Sequence, residues 1–298
     1  MADGLIADTV VFDFTGHDLD SMVASCETDE LMPFVRSLVP AGGTVLEAGA
    51  GSGRWVRALT SLGYAATGIE LSNADVERFR AAWPDIPYDH GNVEAMPYAG
   101  GTFDALLSLG VIEHLFHGPE KAIAEMRRVL KPDGIMFLTV PHGNLSFRLE
   151  QVKDAFFYRL YGSNRVRRLL GRPVVTYPVQ VERQRMEAIR WERRAGVAIK
   201  YRFDPASGTG FYEYRYDTAQ IRTLIEQGGF RIEALHLLSA PDRLYHIFGS
   251  LIGHYDGCSQ PRLNGIGRLL ARLLPGSWIG HMVLVIARPS PPATPQIP

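Results

Sequence analysis

The chain has little cysteine, which limits the ways in which covalent links or a metal could stabilise it. Its 298 residues include two cysteines, Cys26 and Cys258, far apart and without C-x-x-C spacing. This pattern excludes a disulfide framework and the usual zinc-ligand spacing. A reducing, cytoplasmic location is therefore expected.

Long apolar runs and an excess of one charge are also absent. No window approaches the roughly 18 consecutive apolar residues of a spanning helix, and the amino terminus has no charged flank followed by an apolar run, so a soluble protein is expected. The sequence has 31 basic and 32 acidic residues, and the resulting net charge of −1 argues against a nucleic-acid binder. Residues 142–215 differ, with 15 Lys and Arg against 7 Asp and Glu.

The segment from Thr44 to Trp55, TVLEAGAGSGRW, predicts a buried strand, a glycine loop and a helix. Glycines at three alternate positions would let the backbone approach a ligand closely, and Ser52 is predicted to cap the helix. A dinucleotide fingerprint requires a third glycine where Arg54 stands. The pattern therefore does not fit NAD binding.

This E-x-G-x-G-x-G segment resembles the first motif of class I S-adenosylmethionine-dependent methyltransferases. The resemblance implies that S-adenosyl-L-methionine is the cofactor and that the loop binds it through Glu47, Gly49, Ala50, Gly51 and Gly53. The carboxylate would face the ligand's ammonium group. The alternative is a glycine-rich βα turn without a ligand.

Two further predicted strands carry polar residues at family positions. Glu70, 19 residues beyond Gly51, has the spacing of a carboxylate that binds ribose hydroxyls, with Leu71 beside it. Asn92 and Val93 follow the third strand, where the family places an acid on the adenine amine and a backbone amide on the ring. The amide carbonyl of Asn92 can still accept a hydrogen bond; alternatively, the residue only closes a turn.

Two histidines are candidate general bases. The fourth predicted strand ends at Leu109, which the resemblance places among the cofactor-binding residues, and His114 follows in a stretch that the family places under the methionine end of the ligand. His142 follows the fifth strand. Imidazoles titrate near neutral pH and suit the deprotonation of a hydroxyl. For His114, helix capping or packing is an equal alternative.

Alternating strand and helix patterns predict a doubly wound α/β fold with its ligand crevice at the carboxyl ends of the strands. The resemblance implies a seven-stranded sheet of order 3-2-1-4-5-7-6 with the last strand antiparallel. We divide the chain into an amino-terminal helical cap (1–43), a cofactor-binding core (44–141), a basic, aromatic and largely helical lid insertion (142–216), the rest of the core (217–288) and a disordered proline-rich tail (289–298).

The insertion is placed to cover an acceptor. Between 147 and 170 it combines aromatic with basic residues, namely Phe156, Phe157, Leu160 and Tyr161 with Lys153, Arg159, Arg165, Arg167 and Arg168. These suit an anionic group, unless they form a solvated helix face. Tyr212 and Tyr214 are predicted to line the acceptor pocket, with cross-strand packing as the alternative.

A second amphipathic stretch, from Arg262 to Leu274, has apolar residues with arginines between them. A core-facing helix is the favoured interpretation, and peripheral contact with an anionic membrane is the alternative.

The sequence thus predicts a methyltransferase for a small acceptor that is anionic or linked to a lipid or sugar, with O-methylation slightly preferred. No N-P-P-[YF] tetrapeptide follows the fourth strand and no Pro-Cys nucleophile exists, which disfavours DNA methylation. Two alternatives stay open. One is cyclisation or alkyl transfer on the same fold, and the other is a non-catalytic module that binds S-adenosylmethionine or a nucleotide.

Overall fold

The protein, analysed as a computed structural model, is built on one seven-stranded sheet. The structure describes residues 18–148, 152, 163–171, 174, 196–204, 208–255 and 261–291. The strands of the sheet are β1 (Thr44–Ala48), β2 (Ala65–Glu70), β3 (Tyr88–His90), β4 (Phe103–Leu109), β5 (Leu130–Pro141), β8 (Phe230–Leu238) and β11 (Met282–Pro289). Smaller sheets contain β6 (Ala198–Asp204) with β7 (Gly208–Arg215), and β9 (Gly253–His254) with β10 (Arg262–Leu263).

The strand order β3-β2-β1-β4-β5-β11-β8 confirms the expected topology. β1 pairs parallel with β2 and β4, whereas β11 runs antiparallel to both β5 and β8. The carboxyl ends of the parallel strands therefore meet at one edge, where a doubly wound fold binds its ligands.

Helices cover both faces of the sheet. They are α1 (Leu19–Ser25), α2 (Met32–Leu38), α3 (Arg54–Ser61), α4 (Asn73–Ala82), α5 (Glu120–Val129), α6 (Asn164–Leu169), α7 (Thr218–Gln227), α8 (Ala240–Phe248), α9 (Gly265–Leu273) and α10 (Gly276–Ile279). Neighbouring residues of β1 point into different cores, Val45 into one and Leu46 into the other. This two-sided burial explains why the strands read as continuous apolar runs.

The helix α7 restarts the core after the insertion and has a well-defined start. Asp217 accepts hydrogen bonds from the amides of Ala219 and Gln220, and the Gln220 side chain accepts from the amide of Asp217. This capping box fixes where α7 begins.

The described part of the insertion departs from the helical expectation. It contains helical residues at 145–148 and in the short helix α6, but also an antiparallel hairpin of β6 and β7. The prediction of a largely helical lid is thus wrong for residues 198–215, where alternating aromatic and charged residues favour a strand. Phe156, Phe157, Leu160, Tyr161, Lys153 and Arg159 lie outside the described residues.

A second addition, residues 239–281, connects β8 to β11. It contains α8, β9, β10, α9 and α10 around a small core of Leu244, Ile252 and Ile279. None of the helices in the described part of the chain has the length and apolar character needed to cross a bilayer.

Candidate active site

The glycine loop turns sharply between β1 and α3. Gly49 and Gly53 both have positive φ, +78° and +73°. A Cβ on Gly49 would lie 2.6 Å from Val111 Cγ2, and one on Gly53 would lie 2.1 Å from Phe79 Cδ2. Glycine is required at both positions by conformation and by space. The residue at the N-cap is Gly53 without a side-chain cap, so the prediction that Ser52 caps α3 is wrong.

Glu70 ties the loop to the end of β2. Its Oε2 accepts from the amide of Gly51 at 2.7 Å, and its Oε1 accepts from the amides of Leu71 and Ser72 at 2.7 and 2.8 Å. A carboxylate offers about four acceptor positions, so these three bonds leave one for a ligand hydroxyl. Tyr88 supports the same loop by donating to the carbonyl of Gly51 at 2.6 Å.

Glu47 is a buried acid at the carboxyl end of β1. Its Oε2 accepts from the amide of Val56, in the first turn of α3, at 3.1 Å. Burial raises the pKa of Glu47 to about 8, although Arg54 and the Val56 amide lower it. The group therefore holds a proton at neutral pH, and a cation beside it would lower its pKa.

The ends of β3 and β4 carry the remaining predicted cofactor residues. Asn92 is exposed, and its Oδ1 accepts from the amide of Glu94 at 2.8 Å, which leaves a second lone pair. Val93 is buried in the core. Leu109 is the last residue of β4 and lies at the same edge of the sheet as the glycine loop. Ala50 is buried within that loop. The fold thus brings all the predicted cofactor residues to the carboxyl ends of four neighbouring strands.

His114 lies at the end of a 3-10 turn, Ile112–His114, after β4, and its ring is oriented by the β7 hairpin. Nδ1 lies 2.7 Å from the carbonyl oxygen of Tyr212. A carbonyl only accepts, so Nδ1 carries the proton and Nε2 carries the lone pair of the neutral ring. Burial lowers the pKa of His114, more than the Tyr212 carbonyl raises it, which keeps the ring neutral at pH 7.

A second acid, Glu113, lies beside this histidine. Its Oε1 is 3.7 Å from His114 Nε2, and its Oε2 has no hydrogen-bond partner among the described residues. Burial raises the pKa of Glu113 to about 8, with Glu213 adding to the shift and Arg215 opposing it. Glu113 is therefore a neutral acid at pH 7.

His142 is fixed by its backbone at the end of β5. Its amide donates to the carbonyl of His281 at 2.8 Å, and the residue forms a bridge with Tyr216. Burial lowers the pKa of His142, while the Gly280 carbonyl and Asp217 raise it. His142 thus presents a neutral imidazole at the carboxyl end of β5, and its role as a general base stays a prediction.

The two predicted acceptor residues have different surroundings. Tyr212 is half-buried, with its ring centroid 5.4 Å from that of His114. Tyr214 is fully buried, and its hydroxyl donates to the carbonyl of Phe116 at 2.8 Å. Tyr214 therefore packs in the core, whereas Tyr212 is the more accessible of the two, and a role of either residue in the acceptor pocket stays a prediction.

The reverse face of β7 carries a buried ion pair that the motif analysis missed. Arg215 Nε donates to Glu213 Oε1 at 2.7 Å, both residues are about 5% exposed, and Lys200 Nζ lies 3.9 Å from the same oxygen. Arg215 Nη1 is buried without a hydrogen-bond partner in the described ranges. The available signal was the alternation of Glu213 and Arg215 with the tyrosines, which indicates a second, charged face of one strand.

Comparison with known proteins finds methyltransferases that resemble part of this chain. A family model described as a methyltransferase domain matches residues 46–138. A probable S-adenosylmethionine-dependent methyltransferase of Mycolicibacterium smegmatis is 31% identical over 102 residues, 34% of this chain and 39% of that protein. A ubiquinone biosynthesis O-methyltransferase of Nitrosococcus oceani is 27% identical over 165 residues, 54% of this chain and 65% of that protein.

Solved structures show the same fold at low sequence identity. The PH0226 protein of Pyrococcus horikoshii has a TM-score of 0.53 and 16% identity, covering 92% of this chain and 94% of that one. A SAM-dependent methyltransferase of Methanosarcina mazei has a TM-score of 0.53 and 15% identity, covering 87% and 97%.

The chain spans between 39% and 65% of the length of the two curated relatives described above. The family model covers the region from β1 to β5. Residues 46–138, which match the methyltransferase-domain model, include the glycine loop and Glu70, and the sheet order agrees with the fold of the solved structures.

Proposed function

We propose that this protein transfers a methyl group from S-adenosylmethionine to a hydroxyl of a small acceptor that is anionic or is linked to a lipid or sugar. The observation that carries the proposal is the orientation of His114 at the edge that holds the glycine loop. Its Nδ1–H is fixed on the Tyr212 carbonyl, so Nε2 is the atom that can take a proton.

The residues at this edge fit the cofactor by their chemistry. Glu70 has one acceptor position left for a ribose hydroxyl, and Asn92 Oδ1 has one for the adenine amine. Glu47, whose pKa is raised by burial to about 8 despite Arg54, suits the ammonium of the methionine end. When bound, S-adenosylmethionine supplies an electrophilic methyl group.

This chain's own part in the reaction is positioning and proton removal. His114 Nε2 accepts the acceptor's hydroxyl proton as the oxygen becomes a nucleophile. The Tyr212 ring, at 5.4 Å from His114, flanks the same place, and the β7 hairpin that presents it helps to exclude water.

Positive charge near the hairpin supports an anionic acceptor. Lys200 Nζ lies 5.9 Å from the centroid of the Tyr212 ring, which is a candidate for the acceptor pocket. Burial first, and then Arg215, His246, Arg243 and Lys200, lower the pKa of His281 to about 3. Glu213 offsets only part of this charge.

Calorimetric titration with S-adenosylmethionine, S-adenosylhomocysteine and NAD tests the cofactor. We expect micromolar binding of the first two and none of NAD. Run at pH 7 in two buffers of different ionisation enthalpy, the titration should show proton release, because the ammonium lowers the pKa of Glu47. Glu47→Gln should bind without that release. Failure of both sulfur compounds to bind would contradict the proposal.

Product analysis with a panel of phosphate-, carboxylate- and lipid-linked hydroxyl compounds tests the reaction. Methyl transfer yields S-adenosylhomocysteine, whereas cyclisation of the aminobutyrate arm would release methylthioadenosine. His114→Gln should retain cofactor binding and lose about 10²–10⁴-fold in kcat. A variant as active as the wild type would remove His114 as the base.

A further inference from the structure

The helix α9 in the second addition exposes an apolar face that no described part of the chain covers. Ile266, Leu269 and Leu273, here called the outer face, are 58%, 56% and 70% exposed. Their spacing of three and four residues places them on one side of the helix. Single exposed apolar residues are common, but three aligned on one short helix form a surface.

A different side of α9 is already packed. Leu270 and Ala271 of the helix, with Leu263 and Leu274 just beyond its ends, lie against the core of Leu244, Ile252 and Ile279. A core-facing helix, the interpretation favoured by the sequence, therefore accounts for one apolar side and leaves the outer face unexplained.

The charge around the outer face has one sign. Residues 257–287 contain three arginines, Arg262, Arg268 and Arg272, and neither aspartate nor glutamate. All three are exposed, and Arg268 and Arg272 are spaced by four on α9. Such a surface would be attracted to anionic headgroups.

Further exposed apolar side chains lie near both ends of the helix. Leu251 is 68% exposed, and its carbonyl accepts from the Nδ2 of Asn264, the N-cap of α9, at 2.9 Å. Trp278, 47% exposed, follows on α10. Tryptophan is enriched at the headgroup level of membranes because its ring is apolar with one polar edge.

We propose that the outer face of α9 docks the protein on an anionic phospholipid surface. The apolar residues would enter the boundary between headgroups and acyl chains, while the arginines contact lipid phosphates. The second addition leaves β8 and enters β11 at the carboxyl edge of the sheet, which also carries the glycine loop and His114. Docking here would bring a lipid-linked acceptor to the site, and only this last clause rests on the proposed function.

Vesicle flotation of the full chain tests the docking without cofactor or acceptor. We expect binding to vesicles that contain phosphatidylglycerol, little binding to pure phosphatidylcholine, and weakening with salt. Leu269→Glu combined with Leu273→Glu should reduce binding at least about tenfold, since it removes apolar area and adds negative charge. Arg268→Ala with Arg272→Ala should weaken binding to anionic vesicles and reduce its dependence on salt.

Leu62→Glu is the matched control, because Leu62 is also an exposed leucine, 40%, at the end of α3 outside the second addition. It should bind vesicles as the wild type does. Equal binding by wild type and the double glutamate variant would overturn the proposal. A second result would also overturn it: the wild type forms a stable dimer in sedimentation and does not bind vesicles, whereas the double glutamate variant is a monomer. A second copy of the chain would then cover the outer face. Cofactor binding is measured separately by calorimetric titration, so a failure to bind vesicles would not contradict the proposed function.

Discussion

The β1–β4 half of the sheet and the β7 hairpin hold their carboxyl groups in opposite ways. At the glycine loop, Glu70 and Glu47 are held by backbone amides of neighbouring residues. In the hairpin, Glu213 is held by another buried charge, Arg215. The first arrangement depends on backbone shape and the second on a side-chain pair. Different substitutions should therefore destabilise the two regions.

The largest effect is expected from breaking the hairpin's pair. Arg215→Met would leave the Glu213 carboxylate buried, with only Lys200 at 3.9 Å as an ion-pair partner among the described residues. We expect a loss of about 4 kcal/mol in the free energy of unfolding, measured by urea denaturation. Adding Glu213→Gln should recover more than half of this loss. A single-variant loss below about 1 kcal/mol would show that water reaches the pair.

A somewhat smaller effect is expected from a change of backbone shape in the loop. In Gly53→Ala the new Cβ would meet the Phe79 ring at 2.1 Å, at a φ of +73°. We expect a loss of about 3 kcal/mol and weaker cofactor binding. Gly63→Ala is the control, because its φ is +86° and nothing lies within 4 Å. It should lose only about 1 kcal/mol, and equal losses would contradict the steric argument.

The smallest effect concerns Glu113, which follows β4 in the 3-10 turn Ile112–His114 and whose pKa is influenced by Glu213 and Arg215 of the hairpin. Burial raises the pKa of Glu113 to about 8 from a model-peptide value of 4.5. The folded protein then binds this proton more tightly than the unfolded chain does, so its contribution to stability falls as pH rises from about 4.5 to 8. Glu113→Gln should remove this slope, on the order of 2 kcal/mol between pH 6 and 8.

Thermal unfolding across that pH range measures the slope. Glu226→Gln, at an exposed position on α7, serves as the control and should follow the wild type. A Glu113→Gln variant whose stability varies with pH as the wild type's does would mean that the carboxyl is ionised in the folded state.

The β1–β4 half of the sheet was predictable because its sequence signals are local. Gly49 and Gly53 mark a turn whatever packs around it, and Glu70 follows at a spacing set by one helix and one strand. Even there, Ser52 failed as the cap, because positive φ at Gly53 places the helix start one residue later than the sequence suggested.

The hairpin was less predictable because its contacts are distant in sequence. Tyr214 reaches Phe116 across 98 residues, and His114 reaches Tyr212 across the same separation. Alternation in the sequence indicated one aromatic face but gave no sign that both faces are covered, with Glu213 and Arg215 buried on the other.

By itself, the sequence determined the alternation of strands and helices, the loop and the carboxylate at the end of β2, because glycine conformation and apolar periodicity act over a few residues. The strand order came from the resemblance to a known family. Only the tertiary structure decided which nitrogen of His114 holds the proton, why Tyr214 belongs to the core, and that α9 leaves an apolar face exposed. Each of these depends on which distant groups share one place in space, and local pattern does not specify that.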